Sequence, residues 1–313
     1  MTAAPSVPGR PAAPAVPGRF SPDKLAGVLA EVAAVAGVDP FGAQLLRFSA
    51  NAVFRLPTSR VVVRIAASVA LRHRVSKVVA VANWLAEHGI PAVRLLPGVP
   101  QPVRVGDYLA TVWHEVPTGH SGPRPTTRDL AKLLRAVHRL PRPELGLPDW
   151  APLDDVKRRL TDSDGLAAAD RRFLSDRCAE LEVRLAELEF PHPNCVVHGD
   201  AHLGNLIAGP DGPVLCDFDA TSFGPPEWDL TPLPVGLRRF GGSRRAYQLF
   251  ARGYGFDVTR WPGFPVLREV RELKLVTGVL PILSSNPAVV PELRRRLESY
   301  RSGDTSAVWA RVR

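Results

Sequence analysis

Apolar positions change their spacing along this chain, and each change marks an element. Leu25, Val28, Leu29, Val32 and Val35 fall three and four residues apart after Ser21-Pro22-Asp23 and stop at Gly37, which predicts a capped amphipathic helix. "NAVFRLPTSRVVVRI" and "PVRVGDYLATVW" each read as two strands joined by a short turn, at Pro57 to Arg60 and at Gly106-Asp107. Between them Val75, Val78, Val79, Ala82 and Leu85 return to helical spacing, predicting a helix over 71–88 that stops at Gly89. After "HEVPTG" the pattern is helical at about 127–139, 168–188, 243–254 and 265–280, with a strand pair around 195–219. Strands first and helices later predict an α+β fold of two lobes: a small antiparallel sheet over 20–116 and a mainly helical part over 117–313, with the boundary near Trp113 to Gly119.

Composition narrows this picture without redirecting it. Residues 1–19, "MTAAPSVPGRPAAPAVPGR", are dominated by Pro, Ala and Gly and read as a disordered tail. The remainder is globular in character, the whole chain being 45% apolar and 23% charged. A net charge of +9 invites polyanion binding, but Arg is spread along the chain and Lys is scarce. The densest run, Arg294-Arg295-Arg296, is expected on a solvated helix face. Nucleic acid is therefore not an expected partner, whereas anionic small molecules fit the charge. Cys178, Cys195 and Cys216 are too scattered for a zinc site or a disulfide framework. No run of 18 apolar residues and no signal-peptide core is present, so a cytoplasmic chain without membrane contact is expected.

The chemistry concentrates in "VVHGDAHLGNLI", residues 196–207, followed by the turn "AGPDG" and the strand "PVLCDFD". His198, Gly199, Asp200 and Asn205 form the spacing HxDxxxxN, and the later strand delivers Asp217 and Asp219. If the two segments form a hairpin, Asp200, Asn205 and Asp217 converge on one pocket. Four fixed residues at roughly 5% each would match by chance in about one such chain in several hundred. Phosphoryl transfer needs what these groups supply. A carboxylate orients the attacking hydroxyl, and oxygen ligands hold Mg²⁺ across the terminal phosphates. Asp200 suits the first task, Asn205 and Asp217 the second.

At "HGDAHLGN", "LCDFD" and "GPPEWDL" the chain resembles the aminoglycoside phosphotransferase and choline kinase-like family, small-molecule relatives of the protein kinases. The likeness extends from about residue 40 to 275. It implies a kinase-like bilobed fold, Asp200 as catalytic base, Asn205 and Asp217 as Mg²⁺ ligands, and His198 as a brace of the catalytic loop. Asp229 in "EWDL" is implied to be a buried acceptor of that loop's backbone N–H groups. Asp219 has two readings of equal weight, a second metal or bonds to loop amides. His202 has no assigned chemistry, with a surface or acceptor-site role open.

The same resemblance makes the first lobe the nucleotide site. "FSANAVFRL" occupies the phosphate-loop position without glycines, leaving Ser49 and Asn51 as donors. Arg64 in "VVVRI" stands where family members carry a Lys, or sometimes an Arg. The backbone of "TVWHEVP", from Trp113 through Glu115, is expected to meet the purine of ATP or GTP. One departure is sharp: where the family places a Glu on the inserted helix, this chain has Lys77 and Val78. Glu87 or Asp217 is then the candidate to orient Arg64. The gap leaves two expectations: a Mg²⁺-dependent kinase of a small hydroxyl compound, or a nucleotide-binding pseudokinase with a regulatory role. Glu227, Asp257, Glu269 and Glu272 fall in the acceptor region but are outnumbered by arginines, against a polycationic acceptor. Trp228 and Trp261 are candidates for a stacking wall or for core.

Overall fold

β3 (Val61–Ala66) shows how the first part is built. Four of its six residues are apolar and β-branched, yet Val61, Val63 and Ile65 are buried while Val62 and Arg64 are only half-buried, so the strand alternates and Arg64 stands on the face opposite the core. The computed structural model describes residues 22–48, 51–66, 73–117, 124–144, 146–284 and 286–312. The tail of residues 1–19, Ser21 and Ser49 lie outside the described residues.

The chain divides into two compact units, Met1–Val75 with Leu96–Glu115, and Ser76–Leu95 with Val116–Arg313. In the first, α1 (Pro22–Ala36) buries Leu25, Val28, Leu29, Val32 and Ala33. They share one cluster with the inner face of an antiparallel sheet of β1 (Gln44–Phe48), β2 (Asn51–Leu56), β3, β5 (Tyr108–His114) and β4 (Val103–Val105), in that spatial order. Both expected turns are present, Leu56 pairing with Val61 and Val105 with Tyr108. β1 was not legible beforehand: all five residues are exposed, and a register shift between Leu45 and Arg47 breaks any alternation.

The second unit takes α2 (His73–Glu87) from Ser76 onward, and then the helices α3 (Thr127–Val137), α4 (Asp154–Asp162), α5 (Ala168–Ala186), α6 (Glu227–Leu230), α7 (Pro232–Arg239), α8 (Arg244–Tyr254), α9 (Phe264–Thr277) and α10 (Val290–Arg301). α3 starts with a full capping box, Thr126 accepting from Asp129 N and Asp129 from Thr126 N. α4 escaped the periodicity because it buries only Val156 and Leu160.

The strand pairing corrects one expectation. β6 (Cys195–Val197) does not pair with "PVLCDFD"; its partner is β9 (Ser222–Gly224), while β7 (Leu206–Gly209) forms the hairpin with β8 (Gly212–Leu215). The three cysteines are free, and burial pushes the Cys195 thiol up to about 12.

A second correction concerns Arg296, expected on a solvated face. It is 4% exposed, pairs with Glu292 at 2.8 Å, and donates to Leu275 O and Ala310 O. Arg239, equally buried, pairs with Glu272 and donates to Asp304 O. Between these guanidiniums lies Trp309, 4.3 Å from Arg239 Cζ and 5.6 Å from Arg296 Cζ, its indole N–H donating to Ser299 Oγ. The segment after α10 is thus bound into the core of the second unit. Trp309→Ala should therefore destabilise the protein by about 3–5 kcal/mol in urea denaturation. A loss below about 1 kcal/mol would show that this segment folds independently of that core.

Candidate active site

The chain leaves β6 through a sharp turn at His198 and Gly199. His198 is 2% exposed, Gly199 has φ 85°, and a Cβ on Gly199 would stand 2.1 Å from Ala220 O. Only glycine fits there, because the left-handed conformation and the close approach coincide. The resulting turn leaves two backbone N–H groups buried with no strand partner.

Asp229 supplies both acceptors. Its Oδ2 accepts from His198 N at 2.6 Å and its Oδ1 from Gly199 N at 2.8 Å. The neighbouring Trp228 donates its indole N–H to Gly199 O at 3.0 Å. Behind Asp229, His138 Nε2 approaches Oδ2 at 3.1 Å, and His138 Nδ1 meets the Tyr254 hydroxyl at 2.8 Å. Burial works to raise the Asp229 pKa, but the hydrogen bond and charge of His138 and the Gly199 N–H outweigh it and hold the carboxyl below its ordinary value.

His198 ties the loop to the strand that leads to Asp217. Its Nδ1 accepts from Asp200 N at 3.3 Å, so the ring proton sits on Nε2, which donates to Cys216 O at 2.9 Å. Asn205 is 5% exposed and donates through Nδ2 to Asp200 O at 2.8 Å, while its own carbonyl accepts from Cys216 N at 3.0 Å. The β7–β8 hairpin, with Leu206 opposite Leu215, therefore carries Asn205 and Asp217 to one open end. Asp217 has φ 68°, a left-handed conformation that Asp tolerates better than most residues. Asn205 is thus bonded both to Asp200 and to Cys216, the residue before Asp217.

The Asp200 side chain is about half exposed. Its Oδ1 lies 3.4 Å from Arg271 Nη1 and its Oδ2 3.5 Å from His202 Nε2. Partial burial pushes its pKa up; the His202 contact and the Arg271 charge pull harder, and the carboxyl ends well below the usual carboxylate range.

Lys77, at the position of the missing helix acid, makes a link of its own. Its ammonium donates to Asp219 O at 2.7 Å and to Thr221 O at 2.8 Å. The inserted helix thus fastens the segment after Asp217 by donating to carbonyls, where a Glu would accept. Asp219 enters through its main-chain oxygen. Glu87, the alternative acid, lies exposed at the end of α2.

The remaining predicted residues belong to the first unit. Asn51 opens β2 opposite Ala66, and Arg64 pairs with Val53 and Thr111 in the sheet. Trp113 is 7% exposed and donates its indole N–H to Thr111 Oγ1, while the Glu115 carboxylate accepts from Arg55 Nε at 2.7 Å.

A model of the phosphotransferase enzyme family matches residues 45–304. The chain belongs to that family. No curated protein matches it in sequence. Among solved structures, this phosphotransferase is similar to an amicoumacin kinase in complex with AMP-PNP, Ca²⁺ and amicoumacin, with TM-score 0.71, 14% identity, and 92% of this chain and 96% of that one covered. A choline/ethanolamine kinase family protein from Mesorhizobium loti follows with TM-score 0.62, 16% identity and coverage of 89% and 92%. An aminoglycoside phosphotransferase from Streptomyces rimosus gives TM-score 0.57, 20% identity and coverage of 80% and 98%. Likeness at these identities is one of fold, and the fold is kinase-like.

Sequence reasoning missed His138, Arg271 and the bonding of Lys77. A His directly after the apolar face of α3 was the one signal for His138. Arg271 gave none, since its spacing on α9 is that of a core position and its residue type that of a surface one. Among the described residues no helix of this phosphotransferase is long and apolar enough to cross a membrane.

The Asp229 geometry fixes a sign for acid behaviour. A carboxyl whose pKa is depressed by folding contributes stability that is present above its unfolded pKa, about 3.9, and lost as pH falls toward the folded value. Asp229→Asn should cost about 3 kcal/mol near neutrality. The gap between variant and wild type should narrow below about pH 4 in urea titrations; a constant gap would mean the ionised carboxylate is not what the loop depends on.

Proposed function

We propose that this phosphotransferase moves the γ-phosphoryl group of ATP or GTP to a hydroxyl of a small molecule in a Mg²⁺-dependent reaction. The observation that carries this reading is the interlock of Asp200 and Asn205 with the strand leading to Asp217, made by His198 and by the Asn205 amide. Asp200 is exposed enough to meet an acceptor hydroxyl and is held as a carboxylate, the form that accepts its proton. His198 and Asp229 keep it in register.

The residues fit a hard cation. The Asn205 Nδ2 is committed to Asp200 O, which turns the amide Oδ1 to the role of oxygen donor, and Asp217 adds a carboxylate at the same hairpin end. Among the described residues no group of three His, Cys, Asp or Glu is arranged around a metal ion. Mg²⁺ needs no such group, since it takes one or two protein oxygens and completes its shell with phosphates and water. When bound, the ion would neutralise charge on the terminal phosphates. In this reading the first unit receives the nucleotide, with Arg64, Asn51 and Ser49 toward the phosphates and the backbone from Trp113 to Glu115 toward the purine. The second unit holds the catalytic loop and the acceptor.

The acceptor is a neutral or modestly charged hydroxyl compound. Around Asp200 the fixed charges are Arg271, with Lys274 one turn further along α9, its ammonium pulled down to about 8 by burial. The acids of this region are already engaged: Glu272 with Arg239, Glu269 with Arg184, Glu227 with His192, and Asp257 with Thr259 and Tyr247. Nothing in that set favours a polycation. Trp228 belongs to the core, its face covered by Arg271 at 3.8 Å.

The pseudokinase alternative drew on the absent helix acid. Lys77 provides a fastening of its own, and the retained Asp200, Asn205 and Asp217 favour transfer.

The test is nucleotide consumption over a panel of hydroxyl compounds, with binding followed by thermal shift. Asp200→Ala should lower turnover by about 10²–10⁴-fold and leave the nucleotide-induced shift intact; undiminished turnover would remove Asp200 from the chemistry. For Asp217→Ala, the stabilisation by ATP or GTP should no longer respond to Mg²⁺. A response equal to that of the wild type would move the metal elsewhere.

A further inference from the structure

The Asp200 side chain is about half exposed, and each of its carboxylate oxygens faces a nitrogen that is held in place by other bonds. Arg271 is 5% exposed. Its Nε donates to Thr231 Oγ1 at 3.2 Å, Nη2 to Trp228 O at 3.1 Å and Nη1 to Gly199 O at 3.4 Å, and its Cζ stacks 3.8 Å above the Trp228 ring. None of those four contacts involves Asp200. The guanidinium is therefore set in place by the scaffold and presents Nη1 to Asp200 Oδ1 from the protein side.

His202 is held on the solvent side by its own turn. As cap of the 3-10 turn Leu203–Asn205, its Nδ1 accepts from Gly204 N at 3.0 Å. That bond puts the ring proton on Nε2, which faces Asp200 Oδ2. The ring also lies so close over the turn that a Cβ at Gly204 would stand 2.8 Å from His202 Cε1, so any side chain at 204 would displace it.

We infer that Arg271 and His202 are positioning residues that clamp the two oxygens of Asp200 in the orientation needed for transfer, and that the acceptor hydroxyl reaches Asp200 from the His202 side. This rests on the phosphotransferase reading of Asp200 given above. A carboxylate on a half-exposed loop has rotamer freedom, and displacement of a reacting group by about 1 Å costs on the order of 10² in rate. Two fixed donors remove that freedom. Because Arg271 is buried and His202 is 44% exposed, Oδ1 is turned inward and Oδ2 is the oxygen open to a hydroxyl. The proton of that hydroxyl passes to Oδ2 as its oxygen bonds to the phosphorus of the transferring group, and the nucleoside diphosphate leaves with the electrons of the broken P–O bond.

The deciding variants separate clamp from scaffold. His202→Asn keeps a good cap for Gly204 N and removes the donor to Oδ2; His202→Ala removes both; Arg271→Lys keeps the charge and loses the fork. The readout is slow transfer from MgATP to water, which needs no knowledge of the acceptor, with kcat and KM for MgATP measured separately. The expected result is a kcat lowered about 10- to 100-fold in His202→Asn and Arg271→Lys, with KM within about twofold of wild type. Wild-type kcat in His202→Asn, with loss only in His202→Ala, would make His202 a cap alone and overturn the clamp. So would wild-type kcat in Arg271→Lys; if that variant does not fold, His202→Asn decides by itself. No transfer by the wild type, or transfer undiminished in Asp200→Ala, overturns the phosphotransferase reading and the clamp with it.

Discussion

The site depends on one buried carboxylate. Turning the chain sharply after β6 through a left-handed glycine strips the N–H groups of His198 and Gly199 of any strand partner, and burial denies them water. Asp229 accepts both and Trp228 donates to Gly199 O, so two consecutive residues of α6 bind three main-chain groups of the turn. An unpaired carboxylate in that position would be strongly destabilising, and the contact with His138 is what makes its ionised form tolerable. His138 in turn is held by Tyr254 of α8. The loop's geometry is thus distributed over three helices distant in sequence, while the Asp200 side chain remains half exposed.

What the sequence made legible follows from how local each signal is. HxDxxxxN is read within eight residues because one turn and one 3-10 cap set its spacing, and the four large helices and both hairpins of the sheet announced themselves by period. The pairing of β6 with β9 was not legible. Three-residue strands have no period to read, and the partner is chosen by Asp149 and Trp150 bridging to Phe223 as much as by the strands themselves. The edge strand β1 was missed for the opposite reason, being apolar at Leu45, Leu46 and Phe48 while burying none of them.

Lys77 shows why residue identity at a family position is a poor guide to whether a link exists. A carboxylate there accepts hydrogen bonds; an ammonium donates them, and the main-chain carbonyls of Asp219 and Thr221 receive it. Main-chain acceptors are supplied by any sequence, so this link from helix to loop needs no acid on either side. It is a different link from the one a helix acid would make to Arg64, and it holds the loop rather than the strand.

The same distinction changes the meaning of the charge excess. Formal charge treats every arginine as surface, yet Arg239, Arg271 and Arg296 are almost fully buried and spend their donors on carbonyls, carboxylates and the faces of Trp309 and Trp228. A guanidinium suits this use because it is planar, carries five donors and stacks on indole, whereas an ammonium would leave part of that geometry unfilled. Part of the +9 is therefore structural cement of the helical unit and exerts little field in solvent. Of the three, Arg271 is the one whose remaining donor reaches a half-exposed carboxylate, that of Asp200.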